Sequence, residues 1–170
     1  MDEQHLAWDE AAPGSGLRQM ATMLRAQAVQ MFLNDKTHLE LFFLVNRRGE
    51  SRVVPASVIP DRDQLMAALR AHVRANDIFG VIHIVEAWIY HRRQGPDHTF
   101  TQIMSGEIKV SELRDSDRSE VLIVRMESRD GDHLLWSMPI QRDGDKATLG
   151  QPIESNDPPG GRFASFFSAA

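Results

Sequence analysis

From Gly80 to Arg93 the chain reads Gly-Val-Ile-His-Ile-Val-Glu-Ala-Trp-Ile-Tyr-His-Arg-Arg, and no other stretch limits the fold as strongly. Its β-branched residues (Val81, Ile82, Ile84, Val85, Ile89) argue for a strand. Strand alternation puts Val81, His83, Val85, Ala87 and Ile89 on one face, and Ile82, Ile84, Glu86, Trp88 and Tyr90 on the other. Both faces are apolar, so the strand belongs inside a sheet covered on both sides. Glu86 is the exception. A carboxylate in that setting must find partners or keep its proton, because an unpaired buried charge costs on the order of several kcal/mol.

The flanking sequence supplies the elements around this strand. Residues 1–15 show no period and read as a loose N-terminal arm. Ser15 is the predicted N-cap of a helix over Leu17–Leu33, with Leu17, Met20, Leu24, Ala28 and Met31 on its buried side. A hairpin follows, from Leu39–Asn46 through Arg47-Arg48-Gly49-Glu50 to Ser51–Pro55. Asp61 caps a second helix, with Gln64 in the capping-box position, Leu65, Met66, Leu69 and Val73 as the apolar stripe, and Asn76-Asp77 as the stop. Gly95–Ser119 lacks a clear period beyond a short helix near Val110–Arg114, and unpatterned stretches of that length in compact domains are commonly functional. Strands are predicted at Glu120–Glu127, His133–Gln141 and Ala147–Pro152, joined by the turns Arg129-Asp130-Gly131-Asp132 and Arg142-Asp143-Gly144-Asp145. Pro139 confines the middle one to an edge or a bulge. Residues 153–162 form a Pro/Gly linker, and residues 163–170 a tail that docks through Phe163, Phe166 and Phe167.

This order predicts a single α+β domain over residues 1–170. Its mostly antiparallel sheet has about five to six strands, with two main helices packed on one face. The crossover around Asp61–Asn76 would make one parallel pair.

Composition narrows the function classes. The net charge of −5 argues against a duplex-binding module, which normally presents a basic face. The absence of cysteine excludes disulfides, thiolate zinc sites and thiol nucleophiles. The acidic, polar start Met1–His5 is unlike a signal-peptide n-region, and no apolar run is long enough to span a bilayer. A soluble cytoplasmic protein is expected, without cofactor or metal. Signatures of serine hydrolases, phosphate loops, dinucleotide folds and zinc proteases are missing.

The remaining chemistry lies near the central strand. His83 and Glu86 fall on opposite faces and cannot share a metal, whereas His38 and Glu40 share a face of the preceding strand. If those strands pair, one of that pair approaches His83 or Glu86, as an acid–base couple or a cation site. Glu86, His83, His38 and Glu40 are therefore the catalytic candidates. The plain reading of Glu86 is structural, with donors from backbone amides or an arginine such as Arg125. His91, Arg92, Arg93 and His98 form a cationic cluster beside Trp88 and Tyr90, and together these six are the ligand-binding candidates. They suit an anion, a carboxylate-bearing partner or single-stranded nucleic acid. Their plain reading is a solvated strand end beside a core.

Val85-Glu86-Ala87-Trp88, Asp117-Arg118-Ser119-Glu120-Val121-Leu122, Asp143-Gly144 and Gly161-Arg162-Phe163 resemble segments of a group of small hypothetical bacterial and phage-associated proteins, over residues 40–165. The resemblance implies a bacterial or prophage origin and treats Glu86 and Trp88 as a unit. It transfers no reaction. The expected function is a non-enzymatic binding or accessory protein, with an unknown protein or small molecule as partner and a possible homodimer. It would act through Gly95–Ser119 and the end of the central strand. The alternative is a small hydrolase or metal-dependent enzyme using Glu86 as acid–base.

Overall fold

The central strand organises everything else in the computed structural model, which describes residues 8–92, 94–157 and 165–167. Arg93 and Phe163, both singled out above, lie outside them. The chain runs α1 (Pro13–Asp35), β1 (Leu41–Asn46), β2 (Ser51–Pro55), α2 (Arg62–Ala75), β3 (Ile78–Tyr90), α3 (His98–Ser105), β4 (Arg118–Ser128), β5 (His133–Asp143), β6 (Lys146–Leu149) and β7 (Ile153–Ser155). The strands form one antiparallel sheet in the order β2-β1-β3-β4-β5-β6, with β7 also paired to β5. The α+β class and the antiparallel sheet agree with the sequence. Among the described residues, no helix is long and apolar enough to cross a membrane.

The helices do not share a face as expected. Leu17, Ala21, Ala28 and Phe32 of α1 pack with Ile82, Ile84, Leu122, Val124, Met126 and Trp136. Leu65, Met66, Leu69 and Val73 of α2 pack with Phe42, Leu44 and Val81. Val81 and Ile82 are consecutive on β3 and point to opposite sides, so one helix covers each face. The physical reason is already present in β3, whose two apolar faces both need burial. The parallel pair does not form either. β2 and β3 flank β1, each antiparallel to it.

Local chemistry fixes the elements. Asp61 accepts a hydrogen bond from the Gln64 backbone N–H at 2.8 Å and caps α2 as expected. Helix α1 starts earlier than predicted because Pro13 occupies its first turn, where a missing N–H is harmless, so Ser15 lies inside it. Its buried side runs through Leu17, Ala21, Ala28 and Phe32, leaving Met31 43% exposed. Gly80 lets α1 approach the sheet, since a β-carbon there would stand 2.3 Å from the Leu17 side chain. Pro139 pairs with Val121 on one side, and on the other it falls where β7 stops and β6 begins, so its missing N–H breaks no outer ladder. The segment read as a linker contributes β7. The unpatterned stretch is better ordered than predicted: it holds α3, capped by Asp97, and short 3-10 turns at Val110–Glu112 and Asp115–Asp117.

At 23 residues α1 meets strands from β1 to β6, whereas α2, at 14 residues, is confined to the β2-β1-β3 end. The sheet face beside α2 consequently stays open over part of β3, β4 and β5.

Candidate ligand cleft

That open part is a cleft of about 630 Å³, within the range of small-molecule sites. Its apolar walls come from Val85, Ala87 and Trp88 of β3, Ile123 of β4 and Leu135 of β5, and Ser111 of the 3-10 turn also lines it. Glu40, Arg62, His83 and Arg125 supply its polar lining. Antiparallel register puts these groups together. Phe42 stands opposite His83 on β1, and Arg125 stands opposite His83 on β4. Glu40, two residues before Phe42, projects from the same face. Arg62 is the first residue of α2.

The hydrogen bonds at this end converge on Glu40. Its Oε1 accepts from His83 Nε2 at 2.7 Å, and its Oε2 accepts from Arg62 Nη1 at 2.5 Å. The His83 ring lies flat on Phe42, with centroids 4.2 Å apart and planes 3° apart. Burial would push the Glu40 carboxyl up, but the hydrogen bonds from His83 and Arg62 outweigh it and hold the acid down at about 2. Burial pulls the His83 imidazole down to about 4, the Arg125 and Arg62 charges act in the same direction, and the Glu40 bond only partly opposes them. Near neutral pH His83 is thus uncharged and donates Nε2–H to an ionised Glu40. Burial also lowers Arg125, to about 10, which leaves it a cation at neutral pH.

Glu86 belongs to a different network. Although it borders the cleft, its carboxylate accepts a hydrogen bond from the His38 backbone N–H and another from Arg142 Nη2 at 3.2 Å. Arg142 also binds Glu120 through Nε and Nη2, both at 2.7 Å, and donates Nη1–H to the Lys36 carbonyl at the end of α1 at 2.8 Å. A cation at a helix C-terminus is well placed. The arginine serving Glu86 is therefore Arg142, not Arg125, which lies on the other face. His38 is buried, and its Nδ1 faces the Leu39 carbonyl at 2.6 Å, so its imidazole does not join Glu40. Among the described residues, no three His, Asp or Glu side chains gather as a metal site.

The other ligand-binding candidates are mostly engaged within the chain. Trp88 is 40% exposed, with the Arg118 guanidinium 4.0 Å from its ring centroid. Tyr90 donates its hydroxyl to Asp97, at 2.7 Å from the nearer oxygen. His91 Nε2 contacts Ser119 Oγ at 2.6 Å, Arg92 stands 4.2 Å from the Phe100 ring centroid, and His98 is exposed on α3. Among the described residues of this group, Trp88 alone lines the cleft. Sequence reasoning missed Arg62 and Arg125 as parts of one site. Arg125 is the odd charge inside the apolar run Val121–Met126, the same signal that drew attention to Glu86.

Among the curated proteins and the solved structures, nothing matches this chain. A family model matches residues 5–169, in accord with the phage-associated group that the sequence resembles. By that match the chain belongs to the family of bacteriophage lambda protein ea47.

Proposed function

We propose that the chain is a non-enzymatic binding protein, acting inside the phage host, whose cleft takes an amphipathic anion. The ligand would have an apolar body and a carboxylate or similar head. The observation that carries this reading is the pairing of an apolar trough (Val85, Ala87, Ile123, Leu135) with a polar end holding two guanidiniums, Arg62 and Arg125. Glu40, the carboxylate between them and His83, is already bound by His83 and Arg62. A head group would meet arginine donors suited to a carboxylate, and the apolar walls would strip water from the tail.

Geometry favours this over the enzyme reading. Glu40 and His83 do converge, which a catalytic pair requires, but a carboxyl held at about 2 is a weak base near neutral pH. His83 is only 2% exposed. Both oxygens of Glu86 are engaged by His38 and Arg142.

The test is calorimetric titration of the full chain with decanoate, a straight-chain carboxylate. Binding in the wild type, with Ala87→Trp and Arg62→Met each weakening it about tenfold or more, supports the reading. Wild-type binding that both variants leave unchanged would place the ligand elsewhere. Failure of the wild type to bind would count against the anion itself.

A further inference from the structure

Beside the cleft, residues 165–167 return to the α2 side of the sheet. Phe166 is 2% exposed within the α2-side core, edge-on to Phe42 at 6.1 Å between centroids. The Phe166 backbone N–H donates to Glu127 Oε2 at 3.0 Å, and the Ser165 hydroxyl donates to the other oxygen of the same carboxylate. Glu127 is 3% exposed, so these donors compensate a deeply buried acid. The Arg129 guanidinium lies 5.5 Å from the Phe167 ring centroid. These groups form a seat for a short hydroxyl-aromatic-aromatic peptide, and the chain's own tail fills it.

The seat and the cleft share parts. Arg125, which lines the cleft, has its guanidinium 5.1 Å from the Phe166 ring centroid. Glu127 stands two residues along β4 on the same face, and among the charges around Arg125 its carboxylate contributes the strongest support to the protonated form. Phe42 contacts Phe166 on one side and stacks on His83 on the other. We propose that Ser165–Phe167 is an in-cis peptide ligand whose docking on Glu127 is coupled to anion binding in the cleft. The coupling runs through Arg125. With the tail seated, two neutral donors meet part of Glu127's demand, and Arg125 keeps its place in the cleft lining. With the tail released, the buried Glu127 draws Arg125 toward itself and the head-group site weakens. By linkage, a bound anion must then hold the tail down by the same factor. This rests on the cleft reading above.

The experiment uses the full chain and two readouts: decanoate affinity by calorimetry, and carboxypeptidase removal of residues up to Phe166 followed by mass spectrometry. Saturating decanoate is expected to slow that removal about fivefold or more. Ser165→Ala, which deletes one donor without opening a cavity, is expected to speed it and to weaken decanoate binding, as is Phe166→Ala. If decanoate binds but neither changes the digestion nor responds to Ser165→Ala, the coupling is wrong and the cleft reading stands. If decanoate does not bind, the cleft reading fails and the coupling falls with it.

Discussion

The two faces of β3 bury different chemistry. Toward α1, Ile82 and Ile84 join Leu17, Phe32, Leu122, Val124 and Trp136 in an apolar layer. Toward α2, His83, Arg125 and Glu127 are buried beside Phe42 and Phe166, and His83 and Arg125 line the cleft. Buried charges are poor stabilisers, since desolvation can exceed what pairing returns. The α1 face is a closed apolar layer, whereas the α2 face buries polar groups beside an open cleft.

The largest effects should come from the α1 face. Leu122→Ala, at a fully buried position, is expected to lower unfolding free energy by about 3 kcal/mol in urea titration. Leu135→Ala, in the cleft wall, should cost less than about 1 kcal/mol, since its side chain already borders a void. Equal losses would dissolve the contrast.

The next effect is the acid response of the α2 face. His83 ionises at about 4 in the folded chain against an ordinary 6.5, so the unfolded state binds the proton first. Its contribution is therefore present above pH 6.5 and is lost as pH falls toward 4, by about 3 kcal/mol. Glu40, held at about 2 against 4.5, adds a second loss as pH falls from 4.5 toward 2. Urea midpoints measured from pH 7 down to 3 should show both losses. His83→Gln should flatten the upper one and Glu40→Gln the lower.

A smaller effect is expected at Glu86. Glu86→Gln weakens the contacts to His38 and Arg142, and should lower the melting temperature by the equivalent of about 1 kcal/mol at neutral pH. A variant that melts higher would mean that the charge is held at a cost to stability, and would move attention back to Glu86. The smallest stability change belongs to Arg62→Met. Its side chain is 40% exposed, so unfolding should shift by no more than about 1 kcal/mol while decanoate binding weakens.

Much of this architecture was legible in the sequence, and the misreadings have physical causes. The α2 stripe, its Asp61 cap and the hairpin β1–β2 follow from local rules that need no tertiary information. The two apolar faces of β3 already demanded a cover on each side, so placing both helices on one face contradicted the chain's own pattern. The site was half legible. Glu86 was conspicuous because it interrupts an apolar strand, yet its partner Arg142 is 56 residues away. Glu40 and His83 were candidates, but their meeting depended on the β1–β3 register, a long-range choice that local propensity does not encode. Arg62 looked like an ordinary first-turn residue, and only the crossover of α2 brings it to Glu40.

The most direct test of the cleft is to add decanoate to isotope-labelled full-length protein and map the amide and indole shifts. Changes concentrated at Val85, Ala87, the Trp88 indole, Ile123, Arg125 and Leu135, with Ile84, Leu122 and Val124 still, are the predicted result. Shifts centred on the α1 layer or scattered over the surface, with those six unmoved, would contradict it.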